Sequence, residues 1–539
     1  MEKYEIDRMK QHYQQIAVLL IIISIFPVLS FGAKAEDNLI REGPRIDSVV
    51  IENRNIYNTD SAAYKYFIFK LANKVHVKTK KFVIERELLL KKGDLFSRQL
   101  ADETERNLRA LSFIWDAKVE LIKSPSGTAI MKVITTDRWT FVGGPAFSRA
   151  SGRNIVELRM VESNFLGRGL FVSAKHYIRQ NIEDYSELAF TERRLFGTRL
   201  YLNLYSNNHP EVGRKSIILE KPLFALTSRF LYGFSYSDVN RRERYYNHGD
   251  IIAQNYVKGK ELALTSAYRM GTYSDKVQFG LDYLYNDHRI LNKMGQGVVF
   301  PIDSIYHLIT PNFSISSLKY IRTTHFNTFL RPEDIGLVNG VELGLGWGFD
   351  PRQGHQIYRT VLFGLNFSAQ YKRNLIFLYL DRNVWFNGSF FFRKAFDISI
   401  KYYNNGLSWI TPVFFATYGE DMRFDRINTL FLGENNGLRG YPENFDSGEK
   451  FFRCNLENRL FSKISLFSVD VGAVQFVEFG QSRRLEERFS TGDILWSTGI
   501  GLRLGTEKIS DADVFRIDLA YAGQIKSWQL SMALGQYLQ

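Results

Sequence analysis

From Arg138 to the C-terminus, hydrophobic and polar residues alternate with a period of two. Val277, Phe279, Leu281, Tyr283 and Tyr285 interleave with Gln278, Gly280 and Asp282. Phe363, Leu365 and Phe367 interleave with Gly364, Asn366 and Ser368, and Phe515, Ile517, Leu519 and Tyr521 with Arg516, Asp518 and Ala520. Leu200, Val341, Phe396 and Trp528 open further segments of the same kind. This period predicts strands with one apolar and one polar face. Before Arg138 the pattern is mixed. Ile46, Val49 and Ile51 predict a first strand, and Ile84 and Leu88 a helix over Lys80–Leu90 with Gly93 at its C-terminal cap. Ser97 is placed to cap a second helix whose face carries Leu100, Thr104, Leu108 and Leu111. Ala117–Leu121 and Met131–Thr135 read as strands around a turn at Ser124–Gly127. Pro44–Asp137 is therefore a small α+β module. Tyr57–Thr79 is longer than such a module needs, and its Tyr64–Leu71 part reads as another helix.

A soluble sandwich would alternate too. Two features favour a membrane barrel. The polar face of nearly every segment carries charges and glycines, as a wet lumen does, and the segments continue to the end without a helical spacer or linker. A closed barrel satisfies its backbone polar groups within lipid and has no edges. At roughly 25 residues per strand and loop, about 400 residues predict about 16 strands. The expected fold class is mainly β, a transmembrane antiparallel barrel over residues 138–539 behind one α+β domain at 44–137.

The N-terminus bears on compartment. Lys3, Arg8 and Lys10 precede an apolar run from Ile16 to Phe31, then Ala33-Lys34-Ala35. That is the plan of a secretory signal peptide over residues 1–35. Composition agrees with long strands and aromatic girdles: 43 Phe and 29 Tyr against 12 Pro in 539 residues. A mean hydropathy of −0.21 does not oppose a barrel, whose two faces cancel. The single cysteine, Cys454, excludes an internal disulfide and a Cys-based metal site. The net charge of +13 is scattered along an exported chain, which argues against nucleic acid.

No nucleophile elbow, H-E-x-x-H or phosphate loop is present, and the 9 histidines are dispersed. No catalytic residue, metal or cofactor is expected, and a barrel-embedded lipase is disfavoured. The informative stretch is Gly437-Leu438-Arg439-Gly440-Tyr441, in a turn-rich loop after Phe431-Leu432-Gly433. In Phe451–Leu460, Arg453, Asn455, Glu457 and Arg459 share one face, and Asp470 and Gly472 share a face of the next strand. An inward-folded loop would bring Arg439 to Glu457 and Asp470, where an Arg fork makes charge-assisted bonds.

On these residues the chain resembles the BamA/TamA-type outer-membrane assembly factors, the bacterial surface antigen group. The resemblance covers essentially the whole mature chain. Pro44–Asp137 looks like a polypeptide-transport-associated (POTRA) domain, and Glu162–Gly169 like the second barrel strand and its turn. Gly437–Tyr441 matches the signature loop. Asp470-Val471-Gly472 matches part of the F-x-D-x-G strand motif, with Ser468 at its first position. The resemblance implies a lumenal lock of Leu438, Arg439, Gly440, Tyr441, Glu457, Asp470 and Gly472. It also implies a last-strand signal at Leu534, Gly535, Tyr537 and Leu538, although such signals usually end in an aromatic residue. It further implies a non-enzymatic insertion or translocation factor in the outer membrane, with its front domain in the periplasm. The partners would be the lipid bilayer and unfolded or extended client polypeptides, with periplasmic accessory proteins admitted. The front domain would offer a strand edge to a client, and the barrel would open between Trp139–Ser151 and Ser527–Leu538. A passive porin-like channel is the alternative.

Overall fold

The computed structural model describes residues 43–538 apart from the segments 124–126, 151–152, 181–182, 248–249, 295–303, 353–356, 408, 424–429 and 511–513. The expected signal peptide and most of the turn at Ser124–Gly127 lie outside the described residues.

The front module begins with β1 (Ser48–Arg54), followed by α1 (Phe67–Val75), α2 (Lys81–Glu85), α3 (Arg98–Arg109), β2 (Ile114–Lys123) and β3 (Ala129–Asp137). β3 is the middle strand, parallel to β1 and antiparallel to β2. Its side chains alternate, so Ala129, Met131 and Val133 are buried. With Ile84, Leu88, Leu100, Leu108 and Phe113 they form the module's core. Four expectations about this region are corrected. The helix predicted over Lys80–Leu90 stops at Glu85. Gly93 is no helix cap; with φ +91° it makes a turn whose N–H reaches the Ile46 carbonyl. Ser97 precedes α3 but its side chain makes no cap bond. The predicted helix at Tyr64–Leu71 is shifted to α1, behind a short 3-10 turn at Ala62–Tyr64.

Twenty antiparallel strands then close a barrel, from Phe141–Ala150 to Ser527–Leu534. The expected number was about 16, so the count is corrected while the class stands. Short strands and short turns explain the difference. Tyr201–Asn207 has 7 residues and Tyr185–Glu192 has 8, and Tyr371 pairs with Asn374 across a two-residue turn. Phe141–Leu534, divided among twenty strands, leaves about 20 residues for each strand with its turn. In Lys450–Leu466, Asn455, Glu457, Arg459 and Phe461 are buried inward while Leu456 is exposed outward.

The front module lies across one mouth of the barrel. Arg109 donates to both oxygens of Asp334, at 2.6 and 2.8 Å. The Glu103 carboxylate accepts from the Leu226 N–H at 2.6 Å and the Tyr273 hydroxyl at 3.1 Å. Its burial there holds its pKa above the ordinary carboxylate value. Arg194 of a barrel turn pairs with Glu87. At the same mouth the segment 324–332 folds inward, with the Phe329 ring packed over Gly472 and Gly505. The Glu507 carboxylate accepts backbone N–H bonds from Phe329, Leu330 and Arg331.

Candidate functional site

The loop joining Ile410–Arg423 to Lys450–Leu466 enters the barrel from the mouth opposite the module. Two three-residue strands, Leu430–Leu432 and Asp446–Gly448, pair at its base, and a 3-10 turn at Glu434–Asn436 leads into the tip. Gly437 turns the chain with φ +108°, which a side chain would resist. Its carbonyl accepts from Asn455 at 2.7 Å. At Gly440 a Cβ would lie 2.9 Å from the Ser497 Cβ and 3.0 Å from the Ala522 nitrogen. The backbone can approach the wall this closely only without a side chain. Leu438 and Tyr441 are fully buried on either side of Arg439, and the Tyr441 hydroxyl bonds the Trp496 carbonyl at 3.1 Å and the Gln524 side chain.

Arg439 is itself fully buried and meets three carboxylates. Its Nε donates to Glu478 at 2.7 Å, its Nη1 to Asp518 at 3.4 Å, and its Nη2 lies 2.9 Å from Glu457. The last alignment is poor for a directed hydrogen bond, so the contact is mainly ionic. The Arg439 backbone N–H adds a bond to Glu478 at 2.7 Å. Glu457 is shared with Arg459, and Asp518 with Arg503 and Arg516. Among the described residues Glu478 has one cation in ion-pair contact, Arg439, plus the Ser497 hydroxyl at 2.6 Å. The guanidinium is sandwiched between Phe476, 3.4 Å from the ring centre, and Tyr537 at 4.3 Å. In a fully buried site such an arrangement holds only if every charge is paired.

Of the residues expected in the lock, Leu438, Arg439, Gly440, Tyr441 and Glu457 come together. Asp470 and Gly472 do not. They share the inward face with Glu478 but lie at the module end of the same strand; eight residues separate Asp470 from Glu478, about 27 Å along a strand. Asp470 bonds to Ser465 across the turn, and Gly472 leaves room for the Phe329 ring. The carboxylates the sequence reading missed are Glu478 and Asp518. Both fall on the polar face by strand parity, Asp518 between Ile517 and Leu519 and Glu478 eight residues beyond Asp470, past the end of the motif.

The C-terminal residues divide. Leu534 ends the last strand, and Gly535, at φ +83°, turns the chain into the lumen. The Tyr537 hydroxyl accepts from the Gly437 N–H at 2.8 Å and donates to the Glu434 carbonyl. Leu538 packs with Phe326, Phe377 and Tyr403, and its carbonyl accepts from Arg459. The tail is thus part of the lock.

Among the described residues the seam between last and first strands is held by a single residue pair, Met532 with Arg149. The shortest of the other lateral contacts pairs six residues, Glu187–Glu192 with Leu202–Asn207. The register explains the gap. Met532 sits near the module end of its strand and Arg149 near the far end of its own, so the strands overlap only at their tips. Among the described residues Phe141–Ser148 has no strand partner on the seam side. Gly143, Gly144 and Pro145 lie in it, and Pro145 has no N–H to give.

No family model matches this sequence, and no curated protein matches it. Among solved structures the chain is similar to BamA from Haemophilus ducreyi lacking POTRA domains 1–3, at 11% identity and a TM-score of 0.36, over 92% of this chain and 84% of that one. It is also similar to CdiB from Acinetobacter baumannii, at 12% identity and a TM-score of 0.43, over 92% and 74%. For CdiB from Escherichia coli the values are 10% identity and a TM-score of 0.46, over 92% and 77%.

Proposed function

We propose that this protein is an outer-membrane assembly or translocation factor that engages client polypeptides at its barrel seam, without enzymatic chemistry. The observation that carries the reading is the seam itself: among the described residues, one residue pair beside an unpaired edge at Phe141–Ser148. A free edge exposes a row of N–H and C=O groups, and a client strand can add to it by backbone pairing. Burial of the client's apolar face in lipid then drives insertion, with no nucleotide or cofactor. The front module, read as a POTRA-like periplasmic domain, holds the barrel mouth and delivers extended client to the rim. The lock formed by Leu438, Arg439, Gly440, Tyr441, Glu457, Glu478 and Asp518 fixes the inward loop, and with it the strands on one side of the seam.

A passive channel fits less well. The lumen holds the inward loop, the C-terminal tail and the 324–332 segment, and the module crosses one mouth. The test is a disulfide between Arg149→Cys and Met532→Cys in a Cys454→Ser background. Oxidation should stop client assembly and reduction should restore it, with the heat-modifiable folded band unchanged. Full assembly with the seam crosslinked would refute the gate.

A further inference from the structure

α1 buries one side and exposes an apolar one. Phe69 packs on Tyr57 and Tyr64, and Asn73 holds the Tyr57 backbone through two bonds, at 2.8 and 3.2 Å. On the opposite side Phe67, Ile68, Leu71 and Val75 are all exposed, Phe67 by 76%. At 100° per residue these four fall within a single arc of about 100°, the width of a buried helix face. An isolated exposed leucine needs no explanation, but a complete apolar face on an anchored helix does.

The anchorage shows where this face lies. Tyr57 and Tyr64 both engage the Ser468 side chain in the turn after Lys450–Leu466. At the other end of the segment, Asn164 donates to the Thr79 hydroxyl at 2.8 Å and the Lys80 N–H to the Gly167 carbonyl at 2.9 Å. His76 is fixed by Asp137 at 3.0 Å. The two turns lie on either side of the seam in the strand order, so residues 57–80 bridge beneath it. The module-side turns also carry an apolar ring: Leu166, Phe196 (89% exposed), Tyr371, Trp409 and Phe467 (79%) all point to solvent. Such girdles mark the level of a membrane interface. α1 is tied to two turns of that ring. Charge fits the same surface: Ser61–Ile84 contains six lysines, all exposed, and no carboxylate.

We propose that α1 lies on the phospholipid leaflet at the module side of the barrel, directly below the seam, with Phe67, Ile68, Leu71 and Val75 in the headgroup–acyl boundary and the lysines on anionic headgroups. The barrel's own lipid-facing surface continues into this face, which is why lipid is its occupant. A helix wedged into one leaflet perturbs lipid packing at the place where a client strand would enter. The proposal rests on the outer-membrane reading above.

The test uses the full chain in Cys454→Ser background, labelled with an environment-sensitive fluorophore at Leu71→Cys, at Lys74→Cys or, on the barrel exterior, at Leu456→Cys. Each is reconstituted in phosphatidylethanolamine–phosphatidylglycerol vesicles and checked for the heat-modifiable folded band. The Leu71 label should emit to the blue and be quenched by lipid-borne nitroxide about three times more than the Lys74 label. Replacing phosphatidylglycerol by phosphatidylcholine should reduce that difference. If the Leu456 label reports lipid while the Leu71 label stays open to aqueous iodide, α1 is not at the membrane and the barrel reading survives. If neither label reports lipid, both readings fail. Protection of the Leu71 label only after unfolded client is added would assign the face to protein and overturn the proposal.

Discussion

Replacing Arg439 by alanine should damage this protein through one particular carboxylate. Glu457 keeps Arg459 at 3.1 Å, and Asp518 keeps Arg503 at 2.6 Å and Arg516 at 2.9 Å. Glu478, fully buried, loses its one cation and retains the Ser497 hydroxyl and a backbone N–H. Removing one partner of a buried ion pair costs about 3–5 kcal/mol, mostly as the penalty of the charge left behind. Glu478→Gln should relieve most of that penalty, because a neutral amide tolerates the site without a cation. The Arg439→Ala/Glu478→Gln double variant should therefore be more stable than the sum of the two single effects predicts, by about 2–3 kcal/mol. Asp470→Asn, about 27 Å along the strand, should combine additively with Arg439→Ala. Arg439→Lys should restore little, since an ammonium cannot span three carboxylates or lie flat between two rings. Urea unfolding in lipid vesicles, followed by loss of the folded band on unheated gels, measures all of these. Coupling of Arg439 to Asp470 as large as to Glu478, or no coupling to either, would refute the lock as described.

Tyr537→Phe keeps the ring on Arg439 but removes both bonds from the tail to the loop; the loss should be about 1–3 kcal/mol, with faster protease cleavage within Phe431–Phe445 as the readout. Glu507, in the turn after Leu495–Gly505, is pushed by burial up to about 7 despite its three backbone bonds. The folded protein therefore holds its proton more tightly than the unfolded chain, so this contribution to stability is complete below about pH 4.3, declines as pH rises, and is gone above about pH 7, a change on the order of 3 kcal/mol. Glu507→Gln should remove that slope from urea midpoints compared at pH 5 and pH 8, and an unchanged slope would show that Glu507 is not the titrating group.

Much of the barrel was readable because alternation reports which face is wet whatever the sheet's closure. Alternation does not report strand number. That depends on turn length, and a two-residue turn such as the one between Tyr371 and Asn374 leaves no mark in the hydrophobic pattern. The same limit separates the lock's legible half from its hidden half. Arg439 and Glu457 stand out, one in a motif and the other on a plainly alternating strand. The choice among Asp470, Glu478 and Asp518 is a matter of depth along strands, and depth is set by how far the loop reaches in. Phe329 was invisible for a related reason. Its partners Gly472 and Gly505 signal only that something approaches closely, not what does. In the front module, Gly93 and Ser97 carry the local signals of helix ends, but the Gly93 N–H goes to the Ile46 carbonyl and the Ser97 side chain is buried without capping the helix.

The lock and the seam are connected through the C-terminal tail. Extending the register from Met532–Arg149 sets Leu534 opposite Phe147 and would bring Tyr537 and Leu538 opposite Gly144 and Gly143. Those residues instead turn inward at Gly535, so the Phe141–Ser148 edge stays free because the tail is held elsewhere. What holds it is the loop: Tyr537 on Arg439 and Gly437, and Leu538 on Arg459. The inward course gives up a few backbone pairs and gains a partly buried aromatic and a buried leucine, each worth up to about 1.5–3 kcal/mol. The balance between the two courses is therefore within reach of a single contact. On the function proposed above, weakening the lock should release the tail toward the seam, where it would compete with a client for the same edge. If the seam admits clients as proposed, the charge network has a role beyond stability: it keeps the chain's own last residues out of the place a client would occupy.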